Sequence, residues 1–108
     1  MKLNKVYRAI SDGHCGLHVT VNGSPLNPRH DIANFNVRYP HITFQSGRMG
    51  GATAQLAIAI LADYLEKTDE VMKLYGQFAL LILNELSAIP WEINSEQMEE
   101  HLQLLRAR

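Results

Sequence analysis

The stretch Ser46-Gly47-Arg48-Met49-Gly50-Gly51-Ala52-Thr53-Ala54-Gln55-Leu56-Ala57 runs from a strand-like segment through a glycine turn into the most apolar helical pattern of the chain. The first N–H groups of a helix find no partner within it and carry the positive end of its dipole. A glycine-rich helix start is therefore able to cradle a phosphate or a carboxylate. In that reading Arg48 adds a charge-assisted contact, and Gly50, Gly51, Ala52 and Thr53 supply the cradle. The same residues suit a tight corner, because glycine lets backbone come close to backbone. The stretch lacks the Gly-Lys-Ser/Thr ending of a nucleotide-phosphate loop and the strand–helix–strand setting of a dinucleotide fingerprint. A structural corner is thus the first expectation, and an anion site the alternative.

His14-Cys15-x-x-His18 has the ligand types of a metal site. Zinc takes three or four nitrogen or sulfur ligands in a tetrahedron, so His30, His41 or an acidic residue would have to join them. On a strand, residues 14 and 18 stand roughly 13 Å apart at the usual rise, too far to hold one ion. No metal or cofactor is expected. Cys15 as a nucleophile would need a base and an orienting group. His30 and His41 are the candidates for the base, but no nucleophile signature surrounds Cys15. Nothing in the spacing makes a pair of Asp31 and Glu92, and no catalytic residue is expected.

Arg29, Asp31 and Asn34 lie in an irregular polar passage from about residue 27 to residue 40, followed in it by Arg38. Such side chains hold loops together by bonding backbone groups, and long loops also carry binding residues. Both roles are open here, with Arg29, Asp31, Asn34 and Arg38 as the candidate interaction surface. Trp91, after Pro90, is either a core aromatic or an interface anchor.

At 108 residues the chain has room for one core, and a single domain over residues 1–108 is expected. An apolar content of 46% excludes a disordered chain. The net charge of −1 speaks against a dedicated nucleic-acid binder. The charges are unevenly spread, however. Lys2, Lys5, Arg8, Arg29, Arg38 and Arg48 are balanced only by Asp12 and Asp31 before residue 51, and the remainder is acidic. Weak nucleic-acid binding through the basic half is the second alternative. The lone cysteine cannot close an internal disulfide, and no apolar run of signal-peptide length opens the chain. The longest apolar run, Phe78-Ala79-Leu80-Leu81-Ile82-Leu83, is too short to span a bilayer. A cytoplasmic location without membrane contact is expected.

The elements that must position these residues follow from periodicity. Strand patterning covers Lys5 to Ile10, and Leu17, Val19 and Val21 alternate onto one face. Asn22-Gly23 then suits a type I′ hairpin turn, with a short return strand because Pro25 and Pro28 cannot donate to a ladder. Ile42-Thr43-Phe44-Gln45 reads as another strand. A helix is expected from Thr53 to Glu66, apolar enough to be sandwiched. A second, capped by Thr68 or Asp69, should run to about Leu86 and pair with the first. Residues 90–93 suit a short strand, and Ser95 should cap a last helix with Met98, Leu102 and Leu105 buried. The expected fold is α+β: a small antiparallel sheet of three to four strands in the first half, packed against a helical hairpin and a C-terminal helix. Apolar residues all round the first helix leave a homodimer open.

Pro25-Leu26-Asn27-Pro28-Arg29-His30-Asp31-Ile32-Ala33-Asn34, the glycine turn and Ala54-Gln55-Leu56-Ala57-Ile58-Ala59-Ile60-Leu61 together resemble the DUF6166 family. Leu74-Tyr75-x-x-Phe78 and Trp91-x-Ile93 extend the resemblance over nearly the whole chain after Lys5. That family's turn is usually closer to Gly-Gly-Ser-Gly-Pro, where this chain has Gly50-Gly51-Ala52-Thr53. The resemblance implies kinship with small bacterial, archaeal and phage proteins that have no assigned activity, and it implies no mechanism. The function expected is a non-enzymatic interaction or accessory domain of a phage or mobile element, modulating a host or defence protein. Its partner would be a protein.

Overall fold

The computed structural model describes residues 4–107, so Lys2 and Arg108 lie outside the described residues. Four antiparallel strands form one sheet: β1 (Val6–Ser11), β2 (Leu17–Val21), β3 (Ser24–Pro25) and β4 (Trp91–Asn94), in the order β3-β2-β1-β4. The helices are α1 (Gly51–Leu65), α2 (Thr68–Leu81) and α3 (Ser95–Arg106), with a 3-10 turn at Leu83–Glu85. The fold is α+β. Its first three strands come from the first half of the chain, and the fourth is supplied after the helical pair.

Register explains which sheet face is apolar. Ala9 stands between Val19 and Trp91, and Tyr7 between Val21 and Ile93. Because side chains alternate along a strand, these rows share one face, and Tyr7, Ala9, Val19, Trp91 and Ile93 are all buried. At the β2–β3 turn, Asn22 and Gly23 both have positive φ, 50° and 85°, as a type I′ turn requires. Asn22 also accepts a hydrogen bond from the Val6 N–H at 2.8 Å, which ties the turn to β1.

Seven consecutive residues of α1, Leu56 to Ala62, are buried. Consecutive helical residues point in all directions, so α1 is enclosed on every side. Its apolar surface is covered within the chain and gives no argument for a second copy. The far end of α1 is fastened to the sheet by polar contacts. Asp63 accepts hydrogen bonds from the Tyr7 hydroxyl (2.7 Å) and the Lys5 ammonium (2.9 Å). Burial, and then the bond to Asp63, push the Tyr7 phenol well above its ordinary pKa.

The helix ends differ from expectation in three places. Lys67, without a side-chain cap, precedes α2, and Thr68 is already helical. Asp69 and Glu70 in the first turn complement the dipole instead. Next, α2 ends at Leu81, because the chain tightens into the 3-10 turn, where the Leu83 carbonyl accepts from Leu86 and Gly47 N–H groups. Finally, Asn94 caps α3 through a reciprocal capping box with Gln97, both bonds at 2.9 Å. Ser95 is thereby free to accept from the Lys5 N–H at 2.7 Å, joining α3 to β1.

Arg106 of α3 grips Glu70 of α2 through two hydrogen bonds, at 2.7 and 3.0 Å. The guanidinium holds the Glu70 carboxyl below its ordinary pKa, against a smaller opposing effect of burial. Protons therefore bind the unfolded chain in preference to the folded one across the acid range. The stabilisation is complete above the ordinary carboxylate pKa and is lost as pH falls through the depressed folded value. Glu70→Gln should cost about 0.5 kcal/mol at neutral pH, a value discounted for partial exposure. In urea titrations the deficit against the wild type should close in acid. A deficit that persists undiminished in acid would contradict this role.

Candidate functional site

The passage between β3 and α1 has no ladder of its own, and several of its backbone groups are partly buried and bonded by side chains. Gln55, fully buried in the first turns of α1, supplies three of these bonds. Its amide nitrogen donates to the Pro28 carbonyl (2.6 Å) and the Ala33 carbonyl (2.9 Å), while its oxygen accepts from the Phe35 N–H (2.7 Å). Asn36 repeats the device. Its amide nitrogen donates to the carbonyls of Ile42 (3.1 Å) and Thr43 (3.0 Å), and His30 Nε2 donates to its oxygen at 2.6 Å.

That second set explains why residues 42–45, expected as a strand, form none. Asn36 occupies the Ile42 and Thr43 carbonyls, leaving a single backbone bond to β2, from the Leu17 N–H to the Phe44 carbonyl (2.9 Å). The segment is instead an extended bridge. Gln45 donates its side-chain amide to the Cys15 carbonyl and its N–H to the Ala52 carbonyl at the start of α1.

The glycine turn is a corner pinned on two sides. Gly47 has φ of +76°, and a Cβ there would lie 2.7 Å from Ser87 Cα. A Cβ on Gly51 would lie 2.6 Å from the Phe35 carbonyl oxygen, so only glycine lets α1 begin against the loop. Ser46 donates to the Leu86 carbonyl (2.7 Å) and accepts from the Trp91 indole (2.9 Å). Gly50 occupies the N-cap position and has no side chain to cap the helix. Among the described residues, no acceptor bonds the N–H groups of Gly51, Ala52 or Thr53.

Loop and turn together enclose a cavity of about 520 Å³. Phe35, Arg38, Tyr39 and Ile42 of the loop line it together with Arg48, Met49 and the Gly50–Ala52 segment of the turn, and Cys15 is also on the wall. Phe35 stacks on Tyr75 of α2 at 5.7 Å between ring centres, and the Arg38 guanidinium lies 5.8 Å from the Tyr39 ring centre. Large side chains here are open: Tyr39 is 56% exposed and Met49 49%, and the neighbouring Val37 75%.

Charge distribution separates this cavity from the rest of the surface. Arg8, Arg29 and Arg106 each pair with a carboxylate, those of Glu92, Asp31 and Glu70. Arg38 and Arg48 form no ion pair among the described residues, and no carboxylate lines their cavity.

The candidates read from sequence are thus partly gathered and partly dispersed. Arg48, Gly50, Gly51 and Arg38 meet at the cavity. Thr53 does not, because it is fully buried and its hydroxyl donates to the Arg48 carbonyl at 2.7 Å. Trp91, open to either a core or an interface role, is 7% exposed and serves the core and Ser46. Arg29 and Asp31 bond each other twice, each at 2.9 Å, and Asn34 accepts from the Asn36 N–H; none of the three lines the cavity. Among the described residues no three of His, Cys, Asp and Glu gather at a metal-binding distance. No described helix is long and apolar enough to cross a membrane.

Sequence reasoning missed Phe35, Tyr39 and Met49 at the cavity and Gln55 beneath it. Two signals were present. Phe35, Val37 and Tyr39 alternate within a passage that has no hairpin partner, and Gln55 is the lone amide inside an apolar helix. Replacing Gln55 by Leu keeps similar bulk but strands three covered backbone groups. The expected loss is roughly 3 kcal/mol of unfolding free energy in urea. A loss within a few tenths of a kcal/mol would show that the loop is not held this way.

No curated protein and no solved structure matches the chain. A family model does: DUF6166, described as a family of unknown function, matches residues 10–104. By that match, over all but the chain's two ends, the protein belongs to the DUF6166 family.

Proposed function

We propose that this chain is a non-enzymatic protein-interaction domain that binds its partner at the cavity between the 35–39 loop and the 48–52 turn. One observation carries this reading: two arginines without carboxylate partners share that cavity with open tyrosine, phenylalanine and methionine side chains. Arginine, aromatic residues and methionine are the types enriched where proteins bind one another, especially at hot spots. The scaffold beneath is prepared for it, since Gln55 and Gly51 set the loop against α1, and ordering the face before binding lowers the entropy cost of association. In the setting that the family resemblance implies, the partner is a host or defence protein that this accessory domain modulates. A photo-crosslinking residue at Tyr39 or at Met49, in cells of the native source, should give a discrete protein adduct. The same residue at the exposed Leu104 of α3 should not. Equal adducts from position 104, or none from 39 and 49, would overturn the proposal.

A second reading has its own support. Gly51 and Ala52, whose amides are uncapped, line the same cavity as Arg48, a combination suited to a phosphate or carboxylate. Titration with inorganic phosphate and with nucleotides, followed by amide chemical shifts, should then move Gly51 and Ala52 saturably. Resonances that stay fixed would remove this reading.

A further inference from the structure

We infer that the partner segment received by this cavity is an acidic peptide carrying one large apolar anchor side chain; the inference rests on the protein-interaction reading above and specifies it. Of the arginines among the described residues, those at positions 8, 29 and 106 are neutralised by carboxylates of this chain, and the two at the cavity are not. Carboxylates on an incoming segment complete the pattern, and each Arg–carboxylate pair is a charge-assisted, directional contact.

Apolar side chains share the cavity with the two arginines. Phe35 and Ile42 line it, and its lining residues Tyr39 and Met49 are each about half exposed. A volume of about 520 Å³ falls in the range of pockets that enclose a ligand group. An apolar side chain inserted there removes that surface from water, while carboxylates beside it in the segment pair with Arg38 and Arg48. Methionine on the wall adapts to the shape of the anchor.

The same chemistry is poorly matched to nucleic acid. A phosphate backbone is bound by many cations distributed along its track, and here only two arginines line the cavity, together with apolar side chains. The chain from residue 51 onward is acidic as well, which repels an extended polyanion.

The test is selection of a random dodecapeptide library against the full chain. The chosen peptides are then mapped by amide chemical shifts, with an oligothymidylate of matching length as competitor. Enriched peptides should share acidic residues around one aromatic or aliphatic position and shift Phe35, Tyr39 and Met49. Their binding should weaken with salt and fall at least about tenfold in the double variant Arg38→Glu, Arg48→Glu. Lysine-substituted versions of the peptides should regain binding to that variant. Peptides that map to the cavity without acidic enrichment would overturn this inference and leave the interaction face standing. Peptides that map elsewhere, or no enrichment at all, would overturn both. Tighter binding by the oligothymidylate at the same residues would replace the peptide by nucleic acid.

Discussion

The structure depends on one buried side-chain amide. Residues 26–50, the 25 residues between β3 and α1, have neither helix nor ladder, and they nonetheless lie against the most apolar helix of the chain. Covered backbone without partners is costly, on the order of 1–3 kcal/mol for each group. Gln55 answers this by using both ends of its amide on Pro28, Ala33 and Phe35. Because Gln55 is fully buried in α1, the loop is referenced to the core instead of floating over it. The position of Phe35 follows, and with it the close approach at Gly51 and the wall of the cavity.

The glycine turn has two meanings that the structure reconciles. It is a corner, since Gly47 and Gly51 are required by backbone contacts with Ser87 and Phe35. That same closeness brings Arg48 and Met49 beside the loop that carries Arg38 and Tyr39. Structural need and the proposed binding face are therefore consequences of one packing arrangement. Residues that looked functional for their chemistry, Thr53 and Trp91, were spent on making the corner rigid.

Much of the fold was legible because it rests on local periodicity. Leu17, Val19 and Val21 alternate, Asn22-Gly23 announces its turn, and α1 and α2 follow the helical repeat. The site was harder to read because it rests on long-range capture of backbone groups. Ile42 to Gln45 has strand patterning, but the Asn36 amide takes the carbonyls a ladder would use. Thr68 and Ser95 have the chemistry of caps, yet Lys67 and Asn94 hold those places, since the cap is fixed by where the neighbouring segment delivers the chain. Arg29 and Asp31 showed the opposite case. Their proximity in sequence was real, and it is satisfied by a mutual ion pair rather than by a partner.

On this account the proposed binding face is pre-formed because Gln55 fixes the loop that forms it. Backbone hydrogen exchange of the free protein, resolved residue by residue, tests this most directly. The Phe35 amide, which donates to Gln55, should exchange at least about a hundredfold more slowly than an unstructured peptide, as amides held by native structure do. Exchange of Phe35 at the rate of an unstructured peptide would contradict the account.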